Sequence, residues 1–290
     1  RMSENYVWIV GIVASILFGF FLAWSGSDGG IRIYGLSLFS ISVVFAFLIQ
    51  WICFVPSFFF QTEKYFDLAG SVTYISIIIF ALVMSNDLDL QKLVIGLFVL
   101  LWASRLGTFL FSRIRSAGED SRFRVIKTNF LQFLMTWSLQ GLWVCVTCGA
   151  ALAAITSDKQ IPLGIFFFVG CILWAVGFFV EVLADHQKSQ FNRELDNSGK
   201  FIHTGLWAWS RHPNYFGEIM LWSGLSVVAL PVLEGWQHVT LISPFFVFLL
   251  LTKISGINLL ERQAESRWGG DPDYQSYKAS TNILVIWPFR

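Results

Sequence analysis

Eight stretches of the chain are nearly free of charge and dense in Phe, Leu, Ile, Val and Trp: Tyr6–Trp24, Tyr34–Phe60, Leu68–Met84, Leu93–Phe111, Phe130–Ile155, Pro162–Leu183, Phe216–Leu233 and Thr240–Leu259. A helix that crosses a ~30 Å hydrocarbon core needs about 20 mostly apolar residues, so each stretch predicts a membrane-spanning helix. The second and fifth are long enough to tilt or overhang the hydrocarbon. No internal repeat and no low-complexity linker separates them. The pattern predicts an all-α, polytopic membrane helical bundle of about eight transmembrane helices in one integrated domain. The N-terminus has no basic cluster before the first apolar run and no small-residue cleavage site. That run is therefore expected to stay as a membrane helix, with Arg1 ahead of Met2 reading as an expression remnant.

The polar segments between these stretches alternate in basic content. One side carries Arg1, Lys64, Arg113, Arg115, Arg122, Arg124, Lys127, Lys188, Arg193, Lys200, Arg211, Arg262, Arg267, Lys278 and Arg290; the other has only Arg32, Lys92 and Lys159. Lys and Arg mark the cytoplasmic side, which predicts eight helices with both termini in the cytoplasm. Segments 112–129, 184–215 and 260–290 are long and rich in Arg, Lys, His, Asn and Tyr. Long segments of that kind carry function, so whatever is bound from water is expected on the cytoplasmic face.

Composition narrows the class. Charged residues make up 13% of the 290, against roughly 25% in soluble domains, with 55% hydrophobic, 17% aromatic and a mean hydropathy of +0.62. A disordered chain, a basic-faced nucleic-acid binder and an ordinary cytosolic enzyme are excluded. Four cysteines, Cys53, Cys145, Cys148 and Cys171, all lie in apolar runs. Cys145-x-x-Cys148 has redox or zinc spacing, but no His or third Cys stands near it. These cysteines read as small buried residues, and no metal is expected.

Ionisable groups at membrane depth are costly, and so are functional candidates. Arg105 lies midway along the fourth run and either snorkels to the interface or serves a site. Glu181 and Asp185 share a face at i, i+4 and oppose the helix dipole at a C-terminal end, which asks for a cation or donor as partner; Lys188 continues that face. The stretch Lys200 to Glu218 gathers Lys200, His203, Arg211, His212, Asn214, Tyr215 and Glu218 directly before an apolar run. Pro213 suits a first helical turn, and a helix start flanked by Arg and His suits an anion. Glu63 sits where the third helix is expected to begin and reads either as a helix-start charge or as a catalytic acid. The tail with Glu261, Glu265, Tyr274 and Tyr277 reads as interfacial or as a closure over a ligand. No G-x-G-x-x-G after a strand, P-loop or Ser-His-Asp arrangement is present, so loop Arg and Lys would have to hold any phosphate-bearing cofactor.

Arg211-His-Pro-Asn-Tyr-Phe-Gly-Glu218, with Glu181-x-x-x-Asp185 upstream and Trp-Gly-x(4)-Tyr-x-x-Tyr277 downstream, resembles the steroid 5α-reductase family, in particular its bacterial branch of undefined substrate. The resemblance covers roughly residues 61–290. It implies a seven-helix reductase core, with residues 1–60 as N-terminal transmembrane helices that include one added helix. It also implies NADPH-dependent reduction of an activated carbon–carbon double bond, with a cofactor cavity open to the cytoplasm and an apolar substrate entering from the lipid.

By position, Glu181 and Asp185 match a polar–acidic pair on the cofactor, and Lys200 an Arg on its phosphate. Asn214 and Glu218 match residues near the nicotinamide, as does Arg105, while Arg113 and Arg115 fall near a phosphate-binding Arg. Lys188, Arg211, His212, Tyr215, Glu261 and Tyr274 complete the implied cofactor set. Glu63, with Gln61 close by, resembles a Gln–Glu pair that polarises the substrate carbonyl. A neutral carboxylic acid could donate a hydrogen bond to the oxygen on which charge develops. Trp102 stands where the family has a tyrosine, so Tyr65 or Tyr74, on the Glu63 helix, would have to take that role. Thr62 separates the Gln and Glu that are adjacent in the family.

A second resemblance competes. Isoprenylcysteine carboxyl methyltransferases share an Arg-His-Pro-x-Tyr motif and a Glu-rich, Tyr-x-x-Tyr tail, and use S-adenosylmethionine. Asn214, Glu63 and the several loop Arg residues favour a dinucleotide with three phosphates. The expected partners are a lipophilic small-molecule substrate and membrane lipid, with no nucleic acid. The expected place is the bacterial inner membrane, or the endoplasmic reticulum if the source is eukaryotic.

Overall fold

The computed structural model describes residues 2–287. Among the described residues the chain is all-α apart from one short hairpin, β1 (Arg32–Ile33) and β2 (Leu36–Ser37), whose turn residues Tyr34 and Gly35 both take positive φ. Its helices are α1 (Met2–Ser25), α2 (Leu38–Phe59), α3 (Phe66–Met84), α4 (Leu90–Ala117), α5 (Phe123–Ile126), α6 (Phe130–Thr147), α7 (Gly149–Ile155), α8 (Ile165–Arg193), α9 (Pro213–Ala229), α10 (Ser243–Leu249), α11 (Ile257–Trp268) and α12 (Pro272–Ser280). Among the described residues, eight helical spans are long and apolar enough to cross a membrane. They fall on the eight predicted runs, and the protein is an integral, multi-pass membrane protein.

Helix starts follow local chemistry. Ser37, Asp89 and Asn129 cap α2, α4 and α6, accepting from the backbone N–H groups of Ser40 (3.3 Å), Lys92 (2.8 Å) and Gln132 (3.0 Å). Such caps satisfy donors the first turn leaves open.

Three runs differ from expectation. The second begins with the hairpin, so its helix starts at Leu38 and not Tyr34. The fifth, expected as one long helix, breaks at Cys148 into α6 and a wholly buried, Ala-rich α7. The Ser243 hydroxyl donates to the Thr147 carbonyl at that break, which satisfies an acceptor the interruption frees. The last run is a 3-10 stretch (Gly235–Ile242), α10, a π-helical stretch (Leu250–Ile254) and α11. Gly256 stands at the start of α11 with φ −97° and ψ −100°. A Cβ there would lie 2.0 Å from the Leu251 carbonyl oxygen, so only glycine fits.

The chain groups into two compact units. The first holds the stretch up to Phe167 together with Ser226–Ser243; the second holds Phe168–Leu225 and the chain from Pro244 on. Within the first, α3 packs on α4, and α6 packs on α1 and α2. Lipid is as apolar as these side chains, so close packing and not burial from water holds the helices together. Aromatic rings serve that packing: Phe66 meets Trp137 edge-on at 5.1 Å, and Phe54 meets Phe133 at 5.7 Å. Phe123, from the segment after α4, inserts into the same cluster.

Candidate functional site

In the second unit, α8 and α9 meet along four glycines. A Cβ on Gly177 would fall 2.6 Å from the Gly217 carbonyl oxygen, one on Gly217 would fall 2.6 Å from the Glu181 nitrogen, and one on Gly224 would lie 2.7 Å from the Gly170 oxygen. Backbone therefore lies on backbone over two turns, as small residues permit in membrane helices. The approach places the acidic end of α8 against the start of α9. Glu181 and Asp185 are both buried, and the Asn214 amide donates to Asp185 Oδ1 at 3.1 Å. The donor that this carboxylate pair called for is thus found in the His-Pro-Asn motif.

The loop before α9 is bound to the last turns of α8. The Trp207 indole donates to the Ala184 carbonyl at 3.0 Å, and the Leu206 N–H donates to Gln187 Oε1 at 3.0 Å. The Lys188 ammonium sits 4.7 Å from the Trp207 ring centre, a cation–π distance.

Arg211 and His212 divide one carboxylate between them. Arg211 donates to Glu261 Oε2 at 2.6 Å, while His212 Nε2 lies 2.8 Å from Oε1. Burial holds the His212 imidazole below its ordinary range, although Glu261 pulls the other way. The ring stacks on Tyr215, 14° from parallel. Arg211 Nε is buried and has no acceptor among the described residues.

The C-terminal segment closes this arrangement. Arg211 N–H donates to the Asn282 carbonyl at 2.8 Å, and the Ser210 hydroxyl to that of Leu284 at 2.8 Å. Burial pushes the Tyr277 phenol up, which keeps it a donor, and it donates to the Trp207 carbonyl at 2.6 Å. Phe201 lies 5.2 Å from the Tyr274 ring. Lys200 is exposed beside it.

In the first unit, Glu63 precedes α3 instead of beginning it, as had been expected. It is 4% exposed and accepts from the Asp120 N–H at 3.0 Å and from Lys127 Nζ at 2.6 Å. Burial alone would raise its carboxyl, but Lys127 and the Asp120 N–H outweigh burial and hold it below the usual carboxylate range. That direction favours the carboxylate over the neutral acid donor that was expected.

Gln61 turns away to donate to the Phe58 carbonyl at 2.7 Å. Tyr65 is exposed and stacks on Phe111; Trp102 is buried edge-on to Tyr74. Along α4, Arg105 is half-buried, and Arg113 and Arg115 are exposed on its last turns. Beside the Gln61–Tyr65 loop, a cavity of about 380 Å³ opens between α2 and α3, lined by Cys53, Pro56, Ser57, Phe60, Thr62, Tyr65, Leu68, Ala69 and Val72. Its size is that of a small-molecule pocket.

The structure thus brings Asp185 together with Asn214, and Arg211 and His212 together with Glu261. It does not pair Gln61 with Glu63. Sequence reasoning missed Gln187 and Trp207, and missed Lys127 and Asp120 as the partners of Glu63. It counted Lys127 only as a basic loop residue, and no local spacing signals a pair 64 residues apart.

Comparison with known proteins agrees with the motif. A family model described as a protein of unknown function (DUF1295) matches residues 53–281. The human "3-oxo-5-alpha-steroid 4-dehydrogenase 1" is 30% identical over 86 residues, 30% of this chain and 31% of the relative. The protein of that name from Rattus norvegicus is 26% identical over 119 residues, 41% of this chain and 40% of the relative. "Steroid 5-alpha-reductase DET2" of Gossypium hirsutum is 37% identical over 62 residues, 21% of this chain and 24% of the relative. The matched stretches span well under half of these relatives. No solved structure matches. The expected resemblance to steroid 5α-reductases is borne out.

Proposed function

The chain belongs to the DUF1295 family, and from that premise we propose that it is a membrane oxidoreductase that reduces an activated C=C bond (enone or enoyl) in a lipophilic, steroid-like substrate, with NADPH as hydride donor. The observation that carries the reading is the polar cluster at the α8–α9 junction. Asp185–Asn214 and Arg211–Glu261–His212, with Asp185 and His212 buried and the others half-buried, are held together beside the α8–α9 glycine contact in a sequence that also resembles steroid reductases. So precise a buried polar arrangement is unneeded in a plain membrane anchor.

The cluster fits a dinucleotide. The Nε of Arg211 is a buried donor still to be used, Lys200 offers an exposed cation, and Phe201 a half-buried ring. Glu181, Asp185, Lys188, Lys200, Arg211, His212, Asn214, Tyr215, Glu218, Glu261 and Tyr274 of the second unit are the proposed cofactor contacts; Arg105, Arg113 and Arg115 of α4, in the first unit, are proposed on the resemblance alone. The cofactor would supply the hydride; the protein binds and orients it.

For the substrate we propose the α2–α3 cavity. Hydride addition to an enone places negative charge on the carbonyl oxygen, and a positioned cation stabilises it. With the carboxylate form of Glu63 favoured, the Lys127 ammonium takes the donor role and Glu63 orients it. The Lys- and Arg-rich segments would face the cytoplasm of a bacterial inner membrane.

The test is the thermal stability of the detergent-purified protein with NADPH, NADH and S-adenosylmethionine titrated separately. A ligand specific to the folded state raises stability by RT ln(1 + [L]/Kd), about 2.7 kcal/mol at a hundredfold excess over Kd. Stabilisation by NADPH, and weaker stabilisation by NADH, is expected. Stabilisation by S-adenosylmethionine alone refutes the reductase and assigns the cluster to methyl transfer.

A further inference from the structure

Arg211 and His212 lie in the loop that joins α8 to α9, and they can meet a ligand in one arrangement only if that loop is seated. Its seat on α8 begins at a short 3-10 turn, Gly205–Ala208. The first N–H groups of a helical turn have no partner inside it, and Thr204, which precedes this turn, supplies no side-chain cap. The cap comes instead from α8. Gln187, half-buried on its last turns, accepts from the Leu206 N–H through Oε1 at 3.0 Å.

Gly205 makes room for that bond. It takes φ +61°, and a Cβ there would fall 2.6 Å from Gln187 Nε2 and 2.7 Å from Oε1. Any side chain at this position would strain the backbone and push the Gln187 amide off the turn.

The residue after Leu206 passes the seat on. Trp207 is 3% exposed; its indole donates to the Ala184 carbonyl of α8 at 3.0 Å, and its own carbonyl accepts from Tyr277 of α12 at 2.6 Å. One residue thus joins α8 to the C-terminal segment. Farther along the same loop, Ser210 and Arg211 bond to the Leu284 and Asn282 carbonyls, and the Arg211 guanidinium reaches Glu261. All of these residues belong to the second unit. A loop ordered before the ligand arrives has less ordering entropy to give up on binding.

We propose that Gln187 is a positioning residue for the cofactor. By capping the Gly205–Ala208 turn it seats Trp207, and through Trp207 it holds Arg211 and His212 in the arrangement that the cofactor meets. The inference deepens the reductase reading and rests on it for the identity of that cofactor as NADPH.

The experiment measures the dissociation constants of NADPH and of S-adenosylmethionine by thermal stabilisation of the detergent-purified protein. The proteins are wild type, Gln187→Ala, Gln187→Glu, Gly205→Ala, the Gln187→Ala/Gly205→Ala double variant and Gly35→Ala. One hydrogen bond corresponds to about fivefold in an equilibrium constant, so Gln187→Ala is expected to raise the NADPH constant by about that factor. Gln187→Glu keeps an acceptor for the Leu206 N–H and should stay within about twofold of wild type. Gly205→Ala displaces the amide and should match Gln187→Ala. The two substitutions break one contact, so the double variant should bind within about twofold of the weaker single one. Gly35→Ala imposes similar strain, at φ +83°, where a Cβ meets nothing within 4 Å; it should bind NADPH as wild type does, which separates positioning from a general loss of stability.

A Gln187→Ala constant within about twofold of wild type, no rescue by Gln187→Glu, or single effects that multiply in the double variant overturns the proposal. Should Gln187→Ala fold poorly, Gly205→Ala and Gln187→Glu carry the same test. Weakened S-adenosylmethionine binding in these variants, with no NADPH binding by wild type, leaves Gln187 as the positioning residue and removes the reductase. NADPH binding that is blind to the variants does the reverse. Binding of neither ligand by wild type removes both.

Discussion

Replacing Glu63 by Gln removes one charge from a pair whose atoms stand 2.6 Å apart, with side chains 2% and 19% exposed for Glu63 and Lys127. At an effective dielectric of ~20 their attraction is about 6 kcal/mol, and desolvation of the two ions cancels most of that. A charge-assisted hydrogen bond contributes about 1.5–3 kcal/mol net, so we take ~2 kcal/mol as the cost of Glu63→Gln. The amide can still accept from the Asp120 N–H, which confines the loss to the Lys127 contact. At about 2–4 °C per kcal/mol for chains of this order of size, the variant should melt ~4–8 °C below wild type at pH 7.

The sign of the pH dependence follows from the lowered carboxyl of Glu63. Its stabilisation is fully present above the unfolded value of about 4.3 and is lost as pH falls through the lower native value. The gap between wild type and Glu63→Gln should therefore be constant from about pH 7 down to 5, and close as the pH falls below about 4. Thermal unfolding in detergent of wild type, Glu63→Gln, Lys127→Met and the double variant measures the coupling directly. Additive single effects, or a Glu63→Gln melting point within about 1 °C of wild type, would refute the ion pair as described.

Three further outcomes are expected. Gly217→Ala places a methyl 2.6 Å from the Glu181 nitrogen; it should cost about 1–3 kcal/mol by overpacking and weaken NADPH-induced stabilisation more than Gly164→Ala, which meets nothing within 4 Å. Asn214→Leu leaves Asp185 buried without this donor; melting should fall by an amount corresponding to about 1–3 kcal/mol, measured with and without NADPH, and an unchanged NADPH response would remove Asn214 from the cofactor set. Lys200→Ala should narrow the ratio of NADH to NADPH dissociation constants by about fivefold or more, the loss of one phosphate contact; an unchanged ratio would place the extra phosphate elsewhere.

Hydropathy made the eight spans legible because each run's length and lack of charge are local properties. The break at Cys148 was not, since apolar content is the same on both sides of it and the deciding contact, Ser243 to Thr147, comes from 96 residues away. The acidic pair of α8 could be read as wanting a donor, but not that Asn214 would be that donor. That requires the crossing of α8 on α9. Its signal was present in the sequence as Gly170 and Gly177 on one helix and Gly217 and Gly224 on the other, each pair seven residues apart. Glu63 was misread for a physical reason: burial predicts a neutral acid only until the partner's charge is known, and Lys127 is remote in sequence.

The glycine contact between α8 and α9 also bears on how the protein meets bilayers of different thickness. Spans whose hydrophobic length departs from the local thickness tilt or shift to accommodate it, and helices joined by interlocking side chains can trade one set of rotamers for another as they slide. Where backbone rests on backbone there are no rotamers to trade, so α8 and α9 must tilt together as one body. The separation of Asp185 and Asn214 is then independent of acyl-chain length, and cofactor affinity should stay level in thin and thick membranes alike.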